Sequence, residues 1–240
     1  MLKIDGSMLE GGGQLVRSAV ALSALSGTPV DISSIRAGRE RPGLAAQHVA
    51  AIRAVALLCQ AECTGLSVGS RELTFRPGPI ASADISVDVG TAGSIPLVLQ
   101  AWLPVALHAG GSIHVTGGTE VPRSPTIDYL EHLLAGALRA HGARIELEID
   151  RRGYYPQGGG AVSVVVNKAA VSRIGMAAAE NGQGICSCSS NLPDHVAARQ
   201  AEAAIQALSG TTGKQVPLHL DRRSGPSTGS SITIWSGWKG

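Results

Sequence analysis

The sequence predicts an α/β (α+β) fold of repeated units, each with two helices on a four-stranded sheet, and a smaller α/β domain beginning near residue 175. Three observations predict it. The apolar content is 44% but aromatics are only 3%, so the core is built from Ala, Val, Leu and Ile. One order of helical and strand periodicities recurs over two stretches of about 80 residues each. The 31 Gly residues, well above the usual share of about 7%, gather where those elements join.

The elements follow in order. Residues from Gly12 to Leu25 place apolar side chains at helical spacing, and Ser26-Gly27 is a stop signal. Val30 to Ile35 alternates as a half-buried strand does. Pro42 precedes a second helical pattern from Gly43 to Ala61. Thr64 to Val68 and Glu72 to Phe75 read as a strand pair turning at Gly69-Ser70. The second unit reads strand (Ile85 to Val89), apolar helix (Thr91 to Ala109, interrupted by Pro96 and Pro104), strand (Ser112 to Thr116) and helix (Pro125 to His141, stopped by Gly142). It closes with two strands, Arg144 to Ile149 and Ala161 to Val166. Each unit ends in two strands with no helix between them, which separates the pattern from simple βαβ alternation. From Gly175 the composition shifts. A Cys/Ser run (Cys186 to Ser190) leads to a helix from Pro193 to Leu208, with Asn191 expected as its N-cap. Strands are expected at Gln215 to Leu220 and Ser231 to Trp235. The expected division is a core over 1–174 and an incomplete smaller domain over 175–240.

Charge and composition narrow the function classes. With 20 basic and 18 acidic residues the net charge is +2, so no global field draws nucleic acid. Any nucleic acid must be held by local Arg clusters. No run of 18 apolar residues escapes interruption, and the first residues form no apolar signal region, so a cytoplasmic protein is expected. The four Cys pair as Cys59/Cys63 and Cys186/Cys188, spacings unlike the CxxC of zinc ribbons, and are read as buried, reduced thiols. The seven His are scattered.

Five segments could carry chemistry. Glu10-Gly11-Gly12-Gly13-Gln14, with Arg17 one turn on, puts backbone N–H groups at a helix start, where a phosphate sits well. Glu10 could share a divalent cation with that phosphate. Arg36, Arg39 and Arg41 lie within six residues before a helix that carries Gln47 and His48, and guanidinium forks match phosphate oxygens. The alternatives are a Gly-rich turn and a solvated basic loop. The third segment is Gly90 to Ser94 running on to Gln100, whose amide interrupts an apolar helix. The fourth is Gly117 to Pro125. The fifth is Arg151 to Gly160, where Arg and Tyr precede a Gly hairpin and suit either single-stranded nucleic acid or ordinary packing.

Taken together, IDGSMLEGGGQLVRSAVALSALSG, IRAGRERPGLAAQH, GTAGSIPLVLQAWLP, GGTEVPRSP, RRGYYPQGGG and NLPDHVAARQ resemble the RNA 3′-terminal phosphate cyclase family along nearly the whole chain. The resemblance implies a repeated α/β core with a small inserted α/β domain. It implies ATP and Mg²⁺ (or Mn²⁺) as cofactors and RNA 3′-phosphate ends as the partner, converted to 2′,3′-cyclic phosphates through a covalent enzyme-AMP. It places Glu10 near the metal, and Arg17, Arg36 and Arg39 on phosphates beside the Gly11, Gly12 and Gly13 loop. Gln47 and Gln100 would line the nucleotide site, with Pro125 near the base. Two departures stand out. Leu9 stands where the family usually has Gly. None of the seven His matches the family's nucleophile, which lies beyond the small domain. The expectation is therefore a chain without adenylylating activity of its own, self-associating through uncovered sheet edges and helix faces. The alternative readings are a non-catalytic relative that binds RNA or a ribosome-assembly partner, and a carboxyvinyl-transferase-like enzyme.

Overall fold

The computed structural model describes residues 1–8, 11–172, 183–212 and 216–236, arranged as three sheets with their helices. The first unit runs β1 (Leu2–Asp5), α1 (Gly13–Ser26), β2 (Val30–Ser33), α2 (Ala46–Cys59), β3 (Glu62–Thr64) and β4 (Leu73–Arg76). Its sheet order is β1-β2-β4-β3; β1 pairs parallel to β2 and the other pairings are antiparallel. The second unit repeats this with β5 (Asp84–Asp88), α3 (Ile95–Ala109), β6 (Gly111–Gly117), a second helical segment, β7 (Arg144–Arg151) and β8 (Gly160–Asn167), in the order β5-β6-β8-β7. The α/β class and the repeat expected from sequence are thus present. Strand β1 completes the match between units but lies outside the sequence expectation. Four residues with an exposed Leu2 carry too little alternation to be read.

One core joins the two units. Side chains from α1 (Val16, Val20), α2 (Ile52, Val55, Leu58) and α3 (Leu99, Trp102, Leu103) pack with the inner faces of both sheets. At about 25 cal/mol per Å² of buried apolar surface, a dense aliphatic cluster of this kind dominates stability. Local signals end the helices as expected: α1 stops at Gly27, which takes a left-handed φ of 67°. Helix α3 starts at Ser94, whose side chain accepts from the Leu97 N–H at 3.2 Å.

The second helix of the second unit is irregular. It begins as α4 (Ile127–Tyr129), widens into a π-helical turn at Leu130–Ala135, and resumes as α5 (Gly136–Ala140). The periodicity reads only as one helix, because a π-turn inserts one residue without altering composition.

The third sheet, β10-β9-β11, comprises β9 (Gln183–Ser190), β10 (Leu218–Arg223) and β11 (Gly229–Ser236), with α6 (His195–Thr212) against it. The Cys/Ser run, to which the sequence assigned no element, is the central strand, nearly all buried, and it precedes α6 as expected. Ser187 is accommodated by donating to the Ala197 carbonyl at 2.9 Å, whereas the buried Ser190 hydroxyl has no partner among the described residues. Asn191 is also not the expected cap. At φ 53° it turns away from α6 and holds Gly225, accepting from its N–H at 3.0 Å and donating to its carbonyl at 2.8 Å.

A buried ion network locks this sheet to the second unit. Arg152 donates to both oxygens of Asp128 (2.8 and 2.9 Å), to Glu120 (2.6 Å) and to Asp221 on β10 (2.8 Å). Burial pushes the Glu120 carboxyl up to about 7 despite Arg152. Burial also pushes Asp128 upward, but bonds from Arg152 and its charge outweigh this and hold it below the ordinary value. In the fifth segment, therefore, Arg152 and Tyr154 are buried packing residues, not an open platform for bases.

Candidate functional site

The starts of three helices meet at one place. A Cβ on Gly13, the first residue of α1, would land inside the imidazole of His48 in the first turn of α2. Only glycine admits that approach. Gln47, beside His48, accepts from the backbone N–H of Ser94, the N-cap of α3, at 3.0 Å. The Ser94 hydroxyl lies 2.8 Å from that of Ser124, whose own hydroxyl bonds the Pro125 carbonyl at 3.0 Å. The first four segments singled out in the sequence thus converge. The fifth abuts them, since a Cβ on Gly158 would sit 2.8 Å from the Cα of Ala92. Orphan N–H groups and the positive ends of helix dipoles favour an anion at such a convergence.

Arginines reinforce that field. Arg17 on α1 is buried, and among the described residues it has no acidic or hydrogen-bonding partner. Burial alone lowers its pKa, and the group stays cationic. Arg36 is half-buried at a left-handed φ of 54°, a strained backbone for a residue with a Cβ, and its Nη1 donates to the Gly43 carbonyl at 2.7 Å. A Cβ on Gly12 would lie 3.6 Å from Arg39 Nη2, so the Gly loop and the Arg loop face each other. A buried cation without a counter-charge is costly. An anionic ligand supplies the missing charge.

Arg17 also lines a cavity of about 500 Å³ between α1, α3 and α5, together with Gln14 and Gln100. Its walls are apolar, including Leu22, Leu103 and Leu138. Pro104 has no N–H to bond the carbonyl of Gln100 four residues earlier, so that acceptor is left to other partners. Of the residues expected at the site, Gly11, Gly12, Gly13, Arg17, Arg36, Arg39 and Gln47 lie around the meeting helix starts. Gln100 lies in the adjoining cavity, and Pro125 is reached through the serine pair. Glu10, the expected metal residue, is outside the described residues. Ser124 was not singled out in the sequence, because a hydroxyl between Arg and Pro carries no pattern.

His48 reports on the site. Its Nδ1 accepts from the Ala45 N–H at 3.0 Å, which caps α2 and fixes the ring against Gly13. Burial, then Arg17, then Arg36, lower its pKa to about 4. The folded chain therefore binds fewer protons here than the unfolded chain between the ordinary histidine value and about pH 4. His48 contributes stability that is lost as pH falls through that window. An anion between Arg17 and Arg36 cancels part of their repulsion. In a histidine NMR titration, added inorganic tripolyphosphate should raise the His48 pKa; an unchanged value would mean no anion sits there.

Comparison with known proteins gives a consistent result. The model of the family described as RNA 3′-terminal phosphate cyclase matches residues 8–219. A protein of that name from Archaeoglobus fulgidus is 44% identical, over 100% of this chain and 74% of its own length. One from Methanococcoides burtonii is 43% identical over 100% of this chain and 73% of its own. One from Thermococcus kodakarensis is 45% identical over 98% of this chain and 69% of its own.

Proposed function

The chain belongs to the RNA 3′-terminal phosphate cyclase family, and on that premise we propose that its meeting helix starts hold ATP and an RNA 3′-phosphate end. The observation that carries this reading is the buried Arg17, without an acidic partner among the described residues, beside Arg36, Arg39 and the Gly12-Gly13 backbone. The site has concentrated positive charge in a nearly neutral protein. In this reading the triphosphate lies along the Gly loop, with Arg17, Arg36 and Arg39 neutralising phosphate oxygens. Gln47 and Gln100 line the nucleotide, and Pro125 packs near the base. Mg²⁺ or Mn²⁺ near Glu10 would offset charge on the phosphates.

The proposed chemistry has three steps. A histidine attacks the α-phosphorus of ATP and pyrophosphate leaves. The AMP passes to the RNA 3′-phosphate. The ribose 2′-OH then attacks that phosphate, closing the 2′,3′-cycle and expelling AMP. On this reading none of the seven histidines serves as the nucleophile of the first step. His48 holds its Nδ1 on a backbone N–H and lies buried among cations. We expect ATP labelled at the α-phosphate, incubated with Mg²⁺ and this chain, to bind without forming a covalent protein-AMP. A labelled band surviving denaturation would overturn that expectation. The second reading, a non-catalytic relative that binds RNA or an assembly partner, predicts that the chain retains a labelled RNA 3′-phosphate in a parallel binding assay and retains no ATP.

A further inference from the structure

A second cluster of reactive side chains lies some distance along the chain from the arginine site, at the seam between the second unit and the third sheet. Cys186 and Cys188 alternate on β9, so both sulfurs point to the same face, with Sγ atoms 3.4 Å apart. They face Asp128: Cys186 Sγ lies 3.4 Å from one carboxylate oxygen and Cys188 Sγ 3.6 Å from the other. The fourth member is His132, four residues after Asp128 on the π-turn, with a ring nitrogen within 4.8 Å of Cys186 Sγ. Donor atoms of Asp128, His132 and Cys186 all lie within 4.8 Å of one another. Both cysteines and Asp128 are almost fully buried.

From these positions we infer that Asp128, His132, Cys186 and Cys188 form a structural site for a thiophilic divalent cation, zinc above all. Two thiolates, an imidazole and a carboxylate are a recognised donor set for that ion. The Cys186–Cys188 and cysteine–Asp128 distances suit it, while Cys188, outside the group of donors that lie within 4.8 Å of one another, would close toward His132 on binding. With zinc bonds of about 2.3 Å to sulfur and about 2.0 Å to oxygen, a tetrahedral centre spaces two sulfurs by about 3.8 Å and a sulfur and an oxygen by about 3.5 Å. A disulfide would instead need the sulfurs to close to about 2.05 Å. The surroundings are also those of a metal site. Arg152 clamps both oxygens of Asp128 from behind. The indole of Trp235 stacks on His132 with centroids 4.3 Å apart and planes within 7°. Such outer contacts orient metal ligands. Charge is partly offset as well: the cation and Arg152 face two thiolates and Asp128, with Arg152 shared between Asp128, Glu120 and Asp221. Binding would release the thiol protons to solvent. The site would tie β9 and β11 to the π-turn, which gives that irregular turn a purpose.

The test uses the unmodified 240-residue chain, reduced with a phosphine, stripped of metal and reloaded with zinc or cobalt(II). The expected result is close to one metal per chain, and cobalt spectra with strong visible ligand-field bands and a near-ultraviolet thiolate charge-transfer band. Cys186→Ser and Cys188→Ser should each weaken the charge-transfer band. His132→Gln, at a half-exposed position, should keep that band but lower affinity. Trace zinc only, or the weak cobalt spectrum of an all-oxygen site, would overturn the inference, leaving two thiols hydrogen-bonded to Asp128. Full metal uptake by a Cys186→Ser/Cys188→Ser double variant would also overturn it.

Discussion

Replacing Arg17 with Met weakens binding of ATP or inorganic tripolyphosphate by about ten- to a hundredfold while the chain stays as stable or becomes more so. The two effects share one cause. Arg17 carries a charge into a buried position with no counter-charge among the described residues. In the unliganded chain that charge is a cost, and methionine fills similar volume without it. In the liganded chain the guanidinium meets a phosphate, a charge-assisted contact worth about 1.5–3 kcal/mol. Isothermal calorimetry with tripolyphosphate and thermal unfolding, run on both chains, decide the matter. If Arg17→Met unfolds more easily and binds equally well, Arg17 is a packing residue and the proposed anion site loses its main support.

Replacing Arg152 with Met has the opposite signature. It should cost about 3–5 kcal/mol of stability in urea unfolding near neutral pH, because three buried carboxylates lose their shared cation at once. The penalty should shrink as pH falls. In the parent chain, Asp128 and Asp221 are held below the ordinary carboxylate value, so their contribution is present above that value and lost as pH drops through the depressed pKa. In the variant the same groups protonate more readily. Glu120 contributes in the other direction: its raised pKa of about 7 makes the parent less stable as pH rises from the ordinary carboxylate value toward 7. Adding Glu120→Gln to Arg152→Met should therefore recover part of the loss. A pH-independent deficit would mean that lost packing around the guanidinium stem, not stranded charge, causes the effect.

The repeat was legible because long amphipathic helices and Gly-rich joints write themselves into spacing. The runs around α1, α2 and α3 are apolar enough that tertiary context could only confirm them. What escaped did so for physical reasons. Strand β1 is four residues at a sheet edge, too short for a period. Strand β9 has Ser and Cys where strands usually show Val and Ile; Cys186, Ser187 and Cys188 have hydrogen-bond partners on its buried faces. Without a strand assignment there, the sequence did not show the one fact that matters about Cys186 and Cys188, their shared face. At the arginine site the residue types were readable, since Gly and Arg clusters carry their chemistry locally. Convergence was not readable. The bond between Gln47 and Ser94 spans 47 positions, and no local pattern contains it.

Among the described residues, every strand pairs only within its own sheet. No ladder crosses from one unit to the next, so one unit can loosen without unzipping another. The units are separate sheet blocks held to one another by helix packing, the Gln47–Ser94 bond and the Arg152 network. A ligand lodged where α1, α2 and α3 begin touches both of the first two blocks. Its binding would suppress their independent fluctuation, so a nucleotide in this place would be a mechanical fastener as well as a reactant.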